Sequence, residues 1–356
     1  MHVVVGGDVG GAERLLVELA TRPERTGVDH EVALVTPNRR LAETFTGAGL
    51  TVHDYGEARE SPLAYLRQAL GPAHTRWLAG LLGERRAALV HTHTFGSHVL
   101  GTRAARRAGV PQLRTEHHVM HYRDLSTSPF TRWAAARTER FVAVSDYVLR
   151  VLKRTAPAVA RLTTVVRNGV DTARFAPLLG PRTGFRAAVV GRLTRWKRVH
   201  LAIEAAALAD AELVVIGDGE ERGALENLAA RVGARAKFAG YQSDPRPLVA
   251  GCDVVLSTAD DEPLGLSVLE ALSMERPVIG YAGGGIPEIV EPGVTGWLVR
   301  EPKAAAFAAA IREAKADPAR LEAMGRAARA RAVERFDVTV MCDGYRAQYA
   351  SLLGRP

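Results

Sequence analysis

Cysteine is almost missing from this 356-residue chain, with Cys252 and Cys342 the only two. Two isolated thiols exclude a disulfide framework and a cysteine-built zinc site, and they point to a reducing compartment. Long hydrophobic runs are missing as well: no stretch approaches the ~18 apolar residues that a membrane-crossing helix needs. The opening MHVVVGGDVGG has neither the basic start nor the small-residue cleavage site of a secretory leader. No two aspartates flank a single residue, so the Asp-x-Asp device that holds magnesium under a diphosphate is absent. Aromatic residues make up only 6% and do not interleave with the arginines, which argues against a binder of single-stranded nucleic acid. The expectation is a soluble cytoplasmic protein that needs no metal and binds no nucleic acid.

What is present is ordinary in amount and uneven in place. The hydrophobic fraction is 47% and the charged fraction 24%, normal for a globular protein, and the length suits two domains. Residues 1–175 hold 24 Lys+Arg against 16 Asp+Glu, a net of +8, while the rest holds 23 of each. Arginines such as Arg103, Arg106, Arg107, Arg132, Arg137 and Arg140 supply nearly all of the excess. Such a surface attracts anionic lipid or an anionic substrate. The plainer reading, that arginine simply solvates helices here, has equal standing.

Strands alternate with helices along the whole chain, which predicts parallel sheets covered on both faces. The first apolar strand (residues 2–5) runs into the glycine loop Gly6–Gly11 and a helix. That loop matches neither the dinucleotide fingerprint nor the lysine-bearing phosphate loop, and a plain strand-to-helix turn is its alternative reading. Residues 121–128 read as polar and irregular, and a helix is expected from there through Trp133 to Glu139. APLLGPRTG (residues 176–184) has two prolines and two glycines with no periodicity and reads as a linker. The expected organisation is a first domain at 1–175, the linker, a second domain at 185–337, and a last helix within 338–356 that packs back on the first domain. In the second domain a helix is expected over Lys197–Leu208. Trp77, Trp133 and Trp297 read as packing residues.

The most informative stretch is TADDEPLGLSVLEALSMERPVIGYAGGGIPE, residues 258–288. It reads as a loop, a helix, a buried strand and a triple-glycine loop. Both loops then lie at the strand C-terminal edge, where open α/β sheets bind ligands. The helix start near Gly265 suits an anion, because its first amides are unpaired and the dipole favours negative charge. Gly191-Arg192-Leu193 with Lys197, Gly217-Asp218-Gly219 and Gly240-Tyr241 end other strands of the same half. Arg192 and Lys197 beside a free helix end make a diphosphate site, each charge-assisted bond contributing roughly 1.5–3 kcal/mol. A glutamate one turn further on suits a ribose diol, since an ionised carboxylate accepts from two hydroxyls. The combination reads as a nucleotide-diphosphate pocket. Alone, Glu262 and Glu270 would be a solvated face.

Those residues carry a resemblance. Gly6–Gly11, Thr115-Glu116-His117, Val142-Ala143-Val144-Ser145, Asn168-Gly169-Val170-Asp171, Gly191-Arg192-Leu193 with Lys197, Gly217-Asp218-Gly219, Glu262-x7-Glu270 and Gly283-Gly284-Gly285-Ile286-Pro287-Glu288 occur together and in order. In this the chain resembles the family-four retaining glycosyltransferases (glycosyl transferases group 1). The resemblance implies the GT-B fold: α/β, two Rossmann-like doubly wound parallel-sheet domains facing across a cleft. It implies transfer of a hexose-type sugar from a nucleotide-diphosphate sugar, with UDP favoured and GDP-mannose second, to a hydroxyl acceptor. Retention through a same-face, internal-return path is the usual proposal, the leaving phosphate deprotonating the acceptor.

The roles it implies fall on particular residues. Arg192 and Lys197 bind the diphosphate, with the amides of Leu264, Gly265 and Leu266. Glu270 takes the ribose and Glu262 the sugar hydroxyls. Gly240 and Tyr241 meet the base. Gly10 and Gly11 approach the donor phosphate or the acceptor. His117 lies near the sugar, with His118 as the alternative. His91 and His93 read as structural or as reaching the cleft. Leu264 stands where many relatives have Phe, and Asp260-Asp261 has no assigned role. A UDP-N-acetylglucosamine 2-epimerase-like isomerase and an inert GT-B binding partner are the competing readings. The acceptor stays open between a lipid headgroup, a nascent polysaccharide and a soluble natural product, with peripheral contact at the inner face of an anionic membrane as one expectation.

Overall fold

The structure is a computed structural model that describes residues 1–5, 10–35, 38–56, 68–180 and 184–354. The glycine loop at residues 6–9, residues 57–67, and residues 181–183 of the linker lie outside the described residues. The chain divides into two compact units, Met1–Asn168 with Thr339–Pro356, and Gly169–Val338.

The first unit holds a seven-stranded sheet in the order β3-β2-β1-β4-β5-β6-β7, every pairing parallel. Its strands are β1 (His2–Val4), β2 (Glu31–Leu34), β3 (Thr51–Asp54), β4 (Val90–Thr92), β5 (Gln112–Glu116), β6 (Arg140–Ala143) and β7 (Thr163–Val165). The second unit holds six parallel strands in the order β10-β9-β8-β11-β12-β13. These are β8 (Arg186–Val190), β9 (Glu212–Ile216), β10 (Ala236–Gly240), β11 (Val254–Ser257), β12 (Val278–Tyr281) and β13 (Gly296–Val299). Neighbouring side chains on a strand enter different cores, as burial on both faces requires. Val254 and Leu256 pack in one cluster with Ala187 and Val215, and Val255 packs in the other with Ala188 and Val278. Strand order reverses between β1 and β4 in one unit and between β8 and β11 in the other. Such a reversal opens a crevice at the strand C-termini.

The second unit starts earlier than the proline- and glycine-rich stretch suggests. Thr172 donates both its amide (3.4 Å) and its hydroxyl to Asp337. Ser273 donates to the carbonyl of Phe175 at 2.9 Å, and Arg329 to that of Thr172 at 2.7 Å. A Cβ on Gly180 would stand 2.6 Å from the Ala250 carbonyl carbon, so this part of the supposed linker is packed, not spaced. The last helix, Val338–Leu352, belongs from Thr339 onward to the first unit, as its sequence position suggested. Tyr345 Oη lies 2.9 Å from Thr115 Oγ1, and Tyr349 Oη 2.9 Å from His91 Nδ1.

Two sequence expectations need correction. The helix expected to run to Glu139 spans Ser128–Ala135 only. Thr131, Ala134 and Ala135 face inward, which turns Trp133 outward at 38% exposure; it is not a packing residue. The helix expected from Lys197 is a 3-10 turn over Arg195–Lys197, then Arg198 in the left-handed region (φ 50°), then Val199–Leu208. The left-handed residue re-aims the chain, which a hydrophobic period does not reveal. The irregular segment from His121 also hides buried residues: His121 and Tyr122 are 6% and 3% exposed.

Imidazoles fill an unusual part of the first core. Thr26 Oγ1 lies 2.7 Å from His30 Nε2, His30 Nδ1 2.8 Å from His2 Nε2, and His2 Nδ1 3.0 Å from His93 Nε2. His93 Nδ1 reaches His117 Nε2 at 3.4 Å. His91 packs beside this row, 4.2 Å between centroids from His93 with the rings tilted, and bonds Thr115 and Tyr349. The nitrogens of His2, His91 and His93 come within 4.8 Å of one another, and each ring is already hydrogen-bonded within the unit. Burial, then the neighbouring histidines, hold His2 and His91 well below the usual imidazole pKa; burial, with His117 and Arg114, does the same for His93. Burial brings His30 to about 4.

These histidines are neutral in the folded chain, so the unfolded chain binds protons first as pH falls below the ordinary value of 6.5. Stability is then full above that value and is lost between it and the lowered folded pKa values. The urea midpoint is expected to drop between about pH 7.5 and about pH 5. His93→Gln should narrow the difference. A midpoint independent of pH would show that the row takes up protons without unfolding.

Candidate functional site

The β8/β11 reversal holds a pocket of about 330 Å³ lined by Gly191, Arg192, Lys197, Thr258, Glu262 and Ser267, among others. Three strand ends are drawn together beside it. Gly191 donates to Ile216 O at 3.0 Å, Leu193 to Asp218 O at 2.8 Å, and Gly217 to Gly240 O at 2.9 Å. Only glycine fits at 217: its φ is 140°, and a Cβ there would stand 1.9 Å from Gly191 O. The Gly-Asp-Gly sequence is therefore a packing device that lets the loop after β9 press on the loop after β8.

Lys197 ends the 3-10 turn with its Nζ 2.5 Å from Glu262 Oε2 and 4.3 Å from the Trp196 ring centroid. Both side chains are mostly covered, 19% and 12% exposed. The turn itself is fastened to the loop after β11. Thr258 donates its hydroxyl to Lys197 O at 2.8 Å, the Asp260 amide donates to Trp196 O at 2.9 Å, and Arg198 pairs with the Asp260 carboxylate. Asp260 thus has a positioning task that its sequence context did not disclose. The Arg198 charge is spent on it, while Arg192 is exposed on the pocket rim. Such a pocket presents ammonium and guanidinium groups to an anion and a carboxylate to hydroxyls.

Gly265, with φ 102°, caps the helix Leu266–Ser273. Leu264, Val268 and Leu269 are buried beneath it, and Ser267 faces the pocket. Glu270 stands one turn along the same helix, half-buried. The triple glycine explains how the turn before this helix is held. Gly285 donates to Glu262 O at 2.7 Å. A Cβ on Gly284, whose φ is 61°, would lie 2.2 Å from that oxygen and 2.6 Å from Glu262 N. The glycines cradle the backbone of Glu262 and so fix where its carboxylate stands. Gly240 and Tyr241 close β10, Tyr241 with 56% of its surface exposed.

In the first unit His117 follows β5, half-buried, against His93. Burial, then Arg114 and His118, pull its pKa down to about 3, so it is a neutral hydrogen-bonding group. His118 is exposed. Beneath His117 lies a network only partly legible in sequence. Arg114 and Glu116, 1% and 0% exposed, pair at 3.0 and 3.1 Å. Tyr122 donates to Glu116 at 2.8 Å, and His121 Nε2 lies 3.2 Å from it. Burial opposes the Glu116 charge, but Arg114 and His121 outweigh that and hold the carboxyl well below its usual range. The available signal was Arg and Glu two apart in a strand, hence on one face. Gly10 starts the helix Gly11–Ala20, and its amide donates to Glu13 Oε2 at 2.9 Å. That amide is used within the chain.

The profile of the glycosyl transferases group 1 matches residues 174–331, and that of glycosyltransferase family 4 matches residues 9–174. The alpha-maltose-1-phosphate synthase of Mycolicibacterium smegmatis is 31% identical over 70% of this chain and 75% of its own. The 2-deoxystreptamine glucosyltransferase of Streptomyces kanamyceticus is 30% identical over 83% of this chain and 88% of its own. Among solved structures, HepE of Anabaena in complex with UDP-glucose superposes with a TM-score of 0.82 at 25% identity, covering 98% of each chain. Two parallel-sheet units, a pocket at the switch point of the second, and these likenesses place the chain in the group 1 glycosyltransferases, of the GT-B fold.

Proposed function

We propose that the enzyme moves a hexose-type sugar from a UDP-sugar to a hydroxyl acceptor, in the cytoplasm, with retention of anomeric configuration and without a metal. The observation that carries this reading is the Lys197–Glu262 pair, set beside Arg192 and the start of the helix Leu266–Ser273. Lys197 and Arg192 neutralise the diphosphate, and the amides of Leu264, Gly265 and Leu266 add donors that are already oriented. Donor binding separates the pair: the ammonium turns to phosphate and the Glu262 carboxylate accepts from the sugar hydroxyls. Glu270 accepts from the ribose diol, and Gly240 with Tyr241 meets the base. Solved relatives favour UDP, since HepE of Anabaena is in complex with UDP and with UDP-glucose.

In this reading the leaving phosphate itself takes the acceptor proton on the same face. No group of the second unit then has to act as a nucleophile, and catalysis is electrostatic and positional. His117 is neutral at working pH, so it acts by hydrogen bonding and not as an imidazolium. A pH–rate profile should accordingly show no limb from this residue near its unperturbed pKa.

A panel of UDP-, GDP- and ADP-sugars, scored by nucleotide release with and without EDTA, tests the donor and the metal together. NMR of the product anomer tests retention. Lys197→Ala and Glu270→Ala should each lower kcat/KM by on the order of 100-fold or more at an unchanged fold. Wild-type turnover in either variant would remove the donor assignment. Gly284→Ala puts a Cβ into the Glu262 backbone. It should weaken donor binding and cost about 2 kcal/mol of stability.

A further inference from the structure

We propose that the face formed by residues 120–137 of the first unit docks on an anionic lipid bilayer. Four of the large apolar side chains exposed among the described residues crowd into fourteen positions of this one segment. They are Met120 (63%), Leu125 (90%), Phe130 (37%) and Trp133 (38%). Phe130 and Trp133 are three apart in the helix Ser128–Ala135 and share its outer face. The underside is anchored. Tyr122 donates to the buried Glu116, and Thr127 and Thr131 donate to His121 O at 3.1 and 3.3 Å. The apolar side chains therefore stand on a fixed platform rather than on a loose loop.

Cations surround them. Arg123 and Arg132 are exposed, and the Arg137 guanidinium lies 4.8 Å from the Trp133 ring centroid and donates to Trp133 O at 2.9 Å. The one acidic residue within the segment, Asp124, is engaged by the Ser126 amide and hydroxyl at 2.8 and 2.6 Å. Just past it, Glu139 accepts from the Gln112 amide at 2.8 Å.

A scattered exposed leucine needs no explanation, but four exposed aromatic and aliphatic side chains within one short arginine-bearing segment do. The combination matches a bilayer interface. Indole and phenyl rings suit the headgroup level, Leu and Met the acyl boundary, and guanidinium groups the anionic phosphates. The whole +8 excess lies in residues 1–175, which adds long-range attraction of the same sign. The segment starts two residues after His118, at the C-terminal edge of the first sheet. Docking there would bring lipid headgroups to that edge, which fits an acceptor carried on lipid. The inference is independent of the donor reading, and either can fail alone.

The test sediments the full chain with vesicles of phosphatidylcholine and with equimolar phosphatidylcholine and phosphatidylglycerol, at low and high salt. Binding is expected to the anionic vesicles only. Leu125→Glu with Phe130→Glu should weaken it at least about tenfold, with Tm and UDP-sugar hydrolysis unchanged. Brominated acyl chains should quench emission that Trp133→Phe removes. No binding to anionic vesicles would overturn the proposal. So would binding that the double variant leaves intact, since that is charge alone. A double variant that loses affinity for single-stranded DNA while wild type ignores vesicles would assign the face to nucleic acid instead.

Discussion

The ammonium of Lys197 against the carboxylate of Glu262 joins the loop after β8 to the loop after β11, and the charge that the pocket presents depends on that pair. Neither group is deeply buried alone at acceptable cost, because a charge taken from water needs a partner. Paired, each can be held mostly covered and still be given up to a ligand that offers equal compensation. In the proposed function a phosphate replaces the carboxylate for Lys197, and hydroxyls replace the ammonium for Glu262. The fastening bonds beside it, from Thr258, Asp260 and Arg198, keep the two loops in place when the pair opens.

Glycine sets how near these loops come. Gly217 against Gly191 O and Gly284 against the Glu262 backbone are contacts at which any Cβ collides with main chain, so the loops pack at backbone distance. The two glycine-rich motifs work by the same steric rule for different ends. One brings three strand ends together, and the other fixes a single turn that carries the carboxylate. The positive φ values at Gly217, Gly284 and Gly265 make the same demand on each residue that the space does.

Much of this was legible before any coordinates. Strand–helix alternation disclosed two parallel-sheet units, and the order of short motifs disclosed the family. Arg192, Lys197 and Glu262 do line one pocket. What sequence did not disclose has physical causes. The left-handed Arg198 breaks an expected helix without glycine or proline to announce it. Trp133 faces outward because three small residues around it take the inward positions. The packed segment from Gly169 to Gly180 has a linker's composition, but close approach to Val338 and Ala250 requires the same glycines that flexibility would use. The histidine row joins His2, His30, His93 and His117, residues up to 115 apart in sequence; only the parallel pairing of β1 with β2 and β4, and of β4 with β5, makes them neighbours.

The two units handle charge in opposite ways. At the edge of the second sheet charges are kept and paired, Lys197 with Glu262 and Arg198 with Asp260. At the edge of the first, imidazoles are kept neutral by burial, above the buried Arg114–Glu116 pair. A neutral edge suits a hydroxyl, which needs hydrogen-bond partners and no counter-charge. In the proposed path it also leaves the transferred proton to the phosphate, because imidazoles that resist protonation compete poorly for it. Under the proposed function this difference assigns the anionic donor to the unit that holds its charge in pairs, and the hydroxyl acceptor to the unit whose buried imidazoles stay neutral.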